Sequence, residues 1–86
     1  MDGRSRVAWH VRQLRVERGL SQEALAVDAG VDRGYVSGIE RGTFNPTVEI
    51  LDRLAAALNV DVGEFLLLPA PDASAPVPLR AGRRKR

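Results

Sequence analysis

Cysteine is absent from all 86 residues, which excludes a disulfide framework and a thiolate metal site together. Histidine occurs once, at His10, with no metal spacing or catalytic motif around it, so a surface or helix-edge place is expected for it. Aromatic side chains are scarce too: Trp9, Tyr35, Phe44 and Phe65 are the whole set. A core must then come from Leu, Val, Ile and Ala, which suits a helical bundle. No apolar run approaches the ~20 residues that cross a bilayer. The opening MDGRSRVAWH lacks the apolar stretch of a secretion signal. Alternating strand patterns, internal repeats, glycine-rich phosphate loops and nucleophile–base arrangements are all missing. The expectation is a cytoplasmic protein with no membrane partner, no metal, no cofactor and no catalysis.

What is present fits one small domain. The net charge of +2 hides an asymmetry. Residues 69–86 carry +4, from Arg80, Arg83, Arg84, Lys85 and Arg86 against Asp72, so residues 1–68 are at −2. A nucleic-acid face on that folded part must therefore arise from local placement of charge. The composition also breaks at Pro69, where PAPDASAPVP is followed by RAGRRKR. Such a segment buries too little to offset its ordering entropy. The expected division is a domain over 5–68 and a proline-rich, then basic, flexible tail over 69–86. That tail either tracks phosphate or is simply a solvated end.

Helical punctuation is dense. Val7, Val11 and Leu14 recur at helical spacing, predicting a first helix from about Ser5 to Arg18, stopped by Gly19. Ser21 caps a second helix that buries Leu25, Ala26 and Ala29 and ends at Gly30. Val31 points inward in the turn. Asp32 caps a third helix that reaches about Arg41 and buries Val36 and Ile39, and Gly42 stops it. Thr47 caps a fourth, in which Leu51, Leu54, Ala55 and Leu58 form an i, i+3, i+4, i+7 stripe up to Asn59. Asp61 to Glu64 resembles a capping box opening a last short helix through Phe65 and Leu66.

The stretch from Ser21 to Gly42 thus reads as two short helices joined by a tight turn, a helix-turn-helix. The residues Leu14-Arg15, Arg18 to Gln22, Leu25-Ala26, Gly30-Val31, Tyr35 to Ser37, Ile39 to Gly42 and Asn45 to Thr47 closely resemble the Cro/C1-type (XRE) helix-turn-helix family. The resemblance spans about Val11 to Leu67. It implies an all-α, compact five-helix, lambda-repressor-like domain whose second and third helices form the reading unit. It also implies a transcription regulator, a repressor by preference, that binds palindromic double-stranded DNA as a homodimer. VDRGYVSGIERG looks most like the small controller proteins of restriction-modification systems, and similar wording occurs in phage-type repressors and antitoxins.

Relative to Val36 and Ile39, the outward positions of the third helix are Arg33, Gly34, Ser37 and Gly38, with Tyr35 at the edge. By resemblance, those four occupy base-contacting positions. A guanidinium at Arg33 can bond guanine O6 and N7 together, worth ~1–3 kcal/mol of discrimination, the alternative being a solvated surface charge. Each glycine costs about 1 kcal/mol of helix propensity. Gln22, at the start of the second helix, is expected to grip a phosphate with free backbone N–H groups. Arg41, Thr43 and Asn45 are expected phosphate neighbours, and Tyr35 serves either a phosphate or packing.

The resemblance makes Arg15 and Glu40 a partly buried structural ion pair; the alternative is an exposed pair of little value. Phe65, Leu66, Leu67 and Leu68 are the candidate dimer interface; Phe65 completes the monomer core in any case, and for Leu66 to Leu68 that is the alternative. A competing reading is an antitoxin or interaction module that neutralises a partner protein, such as a toxin, through its C-terminal segment. Only Val77 and Leu79 offer apolar anchors in that tail, which favours the regulator.

Overall fold

Each helix begins where a short polar side chain takes over an orphan backbone N–H. The computed structural model describes residues 1–70. It contains α1 (Gly3–Glu17), α2 (Gln22–Ala29), α3 (Arg33–Glu40), α4 (Val48–Leu58) and a closing 3-10 turn (Val62–Leu66). The caps are Asp2, Ser21, Asp32, Thr47 and Asp61, each with its side chain accepting from a backbone N–H two or three residues ahead. Helix α2 ends at Gly30, whose φ of 72° is left-handed and lets the chain reverse within one residue. Val31 N–H then bonds Ala26 O at 3.0 Å, which turns the Val31 side chain back toward the core.

Helix α1 packs against α3 and the closing turn, and α2 packs against α3 and α4. Between them lie Val7 and Val11 of α1, Leu25, Ala26 and Ala29 of α2, and Val36 and Ile39 of α3. Leu51, Leu54, Ala55 and Leu58 of α4 and Phe65 of the closing turn complete the core. Fully burying a Leu, Ile or Phe contributes about 1.5–3 kcal/mol, so these few side chains dominate stability in a domain this small.

The chain is all-α among the described residues, with two departures from the sequence reading. Helix α1 starts at Gly3, two residues ahead of Ser5, because the Asp2 carboxylate accepts from Ser5 N–H at 2.8 Å. The expected fifth helix is a 3-10 turn, so the described residues form four α-helices and not five. The cause is local: the Asp61 carboxylate takes Gly63 N–H at 2.8 Å, and Glu64 N–H bonds Asp61 O at 2.9 Å. Those short-range bonds wind the segment tightly, and five residues are too few to relax into an α-helix. Residues 71–86, with the basic run and most of the proposed tail, lie outside the described residues.

Candidate nucleic-acid interface

One buried carboxylate ties α1, α2 and α3 together. Arg15 Nε donates to Glu40 Oε2 at 2.7 Å and Nη2 to Oε1 at 3.0 Å, a two-point fork between α1 and α3. Its Nη1 donates to Leu20 O at 2.8 Å, fixing the loop before α2. Gln22 Nε2 adds a bond to Glu40 Oε1 at 3.0 Å, so α2 is tied to the same group. The Arg15 and Glu40 side chains are only 14% and 4% exposed, which makes geometry decisive: paired on this many bonds they are tolerated, unpaired they are costly. Gln22 is half-buried and keeps a second amide hydrogen beyond its bond to Glu40.

On α3, Arg33 and Gly34 are exposed, while Tyr35 and Ser37 are half-buried. Arg33, Ser37 and Arg41 follow each other at i, i+4 and i+8, one row along the helix. The Arg41 guanidinium donates to Ser37 Oγ within that row. Arg33 meets no carboxylate among the described residues. Just past the helix, Thr43 and Asn45 are exposed, and Thr43 Oγ1 donates to Gly38 O at 3.1 Å.

Gly38 corrects the sequence reading. Helical phase places it outward, yet it is buried, because Phe44 folds back from the following loop and covers it. A residue under that ring has no open path to a base edge. Periodicity within α3 carries no signal of a loop returning over it.

Phe65 is wholly buried and completes the monomer core, as expected for it, so it offers no side-chain surface to a partner. Leu66, Leu67 and Leu68 are 50%, 54% and 63% exposed, a run of large apolar side chains facing solvent. Their main chain is held by α1: Arg6 Nη1 donates to Leu66 O at 3.0 Å, and His10 Nε2 lies 2.8 Å from Leu67 O. A carbonyl only accepts, so that ring nitrogen carries the hydrogen. The Trp9 ring meets His10 edge-on, with centroids 4.9 Å apart. His10 is therefore buried, not at the surface. The signal was in the sequence, since Val7, His10, Val11 and Leu14 together make a complete i, i+3, i+4, i+7 stripe.

A family profile described as "Helix-turn-helix" matches residues 11–65. The chain belongs to the Cro/C1-type helix-turn-helix family. That family is one of DNA-binding transcription regulators. Among the relatives of this helix-turn-helix chain, a hypothetical transcription factor of Neisseria meningitidis is 43% identical over 68 residues, which is 79% of this chain and 64% of the relative. The chain thus spans somewhat under two thirds of that protein. The uncharacterized HTH-type transcriptional regulator y4dJ of Sinorhizobium fredii is 45% identical over 66 residues, 77% of this chain and 86% of y4dJ. The crystal structure of the hypothetical transcription factor NHTF from Neisseria superposes with a TM-score of 0.77 at 43% identity, covering 79% of this chain and 78% of that one. The restriction-modification controller protein C.AhdI from Aeromonas hydrophila does so at 0.70 and 40% identity, covering 72% and 94%. No helix among the described residues is long and apolar enough to cross a membrane.

Proposed function

We propose that this chain is a cytoplasmic, sequence-specific transcription regulator, by preference a repressor, which binds a palindromic DNA site as a homodimer and reads it through α3. The observation that carries this reading is the Arg33–Ser37–Arg41 row on a helix whose C-terminal end is pinned by the Arg15–Glu40–Gln22 network. A helix reads a major groove only when it is held at a fixed angle, and the buried fork supplies that. Arg33 is the guanine-reading side chain, and Ser37 bonds a base edge or a phosphate after releasing Arg41. Gly34 offers close backbone approach and reads nothing through a side chain. Gln22 takes a phosphate with its second amide hydrogen, at the positive end of α2. Arg41, Thr43, Asn45 and the Tyr35 hydroxyl complete the phosphate contacts.

Self-association uses Leu66, Leu67 and Leu68, whose exposure is unusual for so small a domain. Two copies joined there bring their reading helices to half-sites ~34 Å apart. The action is binding without a catalytic step: the single histidine is committed to the main chain of Leu67. The relatives named as transcription regulators support the same reading.

Selection of bound duplexes from a random pool, followed by titration at matched salt, tests this. A preferred palindrome is expected, bound far more tightly than its scrambled version. Arg33→Ala should relax one base position per half-site by ~1–3 kcal/mol, whereas Gln22→Ala should weaken all duplexes alike. Equal affinity for selected and scrambled DNA would overturn the specificity.

A further inference from the structure

The geometry points to Phe44 as a positioning residue: its ring is wedged into the space left by the missing side chain of Gly38, locking the loop that carries Thr43 and Asn45 to the reading helix. This rests on the proposed role of that loop in holding phosphate.

Gly38 lies inside α3 and does not have the left-handed backbone that would call for glycine, unlike Gly30 and Gly42. Space is the reason for it. A Cβ at Gly38 would stand 2.6 Å from Phe44 Cδ2 and 2.7 Å from both Cε2 and Cγ. Because Cγ itself is that near, spinning the ring about its own axis relieves nothing. The whole ring would have to swing out of its place beside α3, taking its hold on the loop with it. Tyr35 meets the Phe44 ring edge-on from α3, with centroids 5.3 Å apart and planes at 77°.

The loop backbone is fastened to the same glycine. Gly38 O accepts from Thr43 N–H at 3.0 Å, from Phe44 N–H at 3.3 Å and from Thr43 Oγ1 at 3.1 Å. One peptide carbonyl thus gathers both loop residues, while the ring fills the space beside it. Phe44 remains 40% exposed, too open to serve as an ordinary core anchor. Its placement does more for orientation than for burial: Thr43 and Phe44 are fastened to the Gly38 carbonyl, and Asn45 follows directly from that anchored pair. Phosphate contacts position a reading helix without carrying sequence information, so this wedge governs how deep α3 sits in the groove.

Phe44→Ala, Gly38→Ala, the double variant and Phe44→Tyr test the proposal, read by duplex titration, phosphate-ethylation interference and urea denaturation. Phe44→Ala and Gly38→Ala should each weaken selected and scrambled duplexes alike, by about tenfold, as expected when one or two phosphate bonds are lost. Both should erase interference at the same phosphates while leaving the base preference set by Arg33 intact. Phe44→Tyr, which keeps the ring, should restore most of the affinity. In denaturation, Gly38→Ala should cost less stability in the Phe44→Ala background than in the parent, because the added methyl then has room.

Additive stability effects, or Gly38→Ala with parental affinity and interference, would overturn the wedge. So would lower stability in either variant with no change at the phosphates. A parent chain that binds no duplex would overturn the proposed function itself and the positioning role with it, a result distinct from a binding parent whose variants are additive.

Discussion

Helix α1 holds two other segments of the molecule, and it holds them by different chemistry. Near its C-terminal end, Arg15 grips a charged side chain, Glu40, and through it fixes α3 and Gln22. Toward its N-terminal end, Arg6 and His10 grip main-chain carbonyls, Leu66 O and Leu67 O. The first arrangement leaves polar side chains outward on α3. The second satisfies the backbone of a segment whose leucine side chains are left in solvent. A side-chain network of this kind fails severely when one member is removed, whereas a carbonyl clamp at an exposed segment fails gently, because water can replace the lost donor. That contrast sets the order of effects expected below.

The largest belongs to the charged grip. Arg15→Met should destabilise the domain by ~3–5 kcal/mol in urea denaturation, since Glu40 would stay buried with only Gln22 beside it. Pairing Arg15→Met with Glu40→Met should recover much of that loss, because both charges are then gone. A single variant costing under about 1 kcal/mol would mean that the pair is energetically a surface bridge. Next comes the apolar segment. Leu66→Glu should move the chain to monomer mass in sedimentation and leave the melting transition nearly where it was. Unchanged mass would remove the leucines as the self-association surface, and binding of a protein of different sequence there would favour the interaction-module alternative.

The two regions also differ in how far the sequence announces them. Helices α2 to α4 have strong local marks: Ser21, Asp32 and Thr47 as caps, Gly30 and Asn59 as stops, and an uninterrupted stripe in α4. The Arg15 and Glu40 pairing follows from the family resemblance, not from periodicity, because nothing local relates positions 25 residues apart. The clamp on Leu66 and Leu67 bridges 60 and 57 residues and resembles no motif. His10 was legible as a buried position by phase, but its polar identity argued against the core. Gly38 shows the reverse failure: its phase within α3 is outward, and only a loop residue six positions on buries it. The 3-10 geometry of the last segment rests on the short bonds at Asp61, and a capping pattern read in the sequence does not separate it from an α-helical turn.

The carbonyl clamp offers a smaller effect that sharpens the comparison. His10→Ala should cost ~1–3 kcal/mol through the lost bond to Leu67 O and the emptied space beside Trp9. It should also weaken self-association, since the leucine segment loses one of its two holds. Denaturation and sedimentation read the two consequences separately. An unchanged monomer–dimer balance would show that Arg6 alone suffices to present the leucines.

The smallest effect lies at the start of α1, and pH exposes it. The Asp2 carboxyl is held below its ordinary value of 3.8, chiefly by the backbone hydrogen bond from Ser5. A carboxylate whose folded pKa is depressed contributes stability above its unfolded pKa and loses it as the pH falls through the folded one. The cap should therefore be fully effective at neutral pH and fail only in acid, below the ordinary carboxylate range. Asp2 is fully exposed, so only the first turn of α1 should loosen while the core persists. Amide-exchange protection at Ser5 and Arg6, followed from neutral pH into acid, should fall in the parent. In Asp2→Asn, which caps without titrating, the same protection should stay level. Parallel loss in both proteins would place the acid sensitivity elsewhere on α1. Since Arg6 reaches Leu66 O from this turn, fraying there should also relax the leucine clamp and leave the Arg15–Glu40 fork untouched.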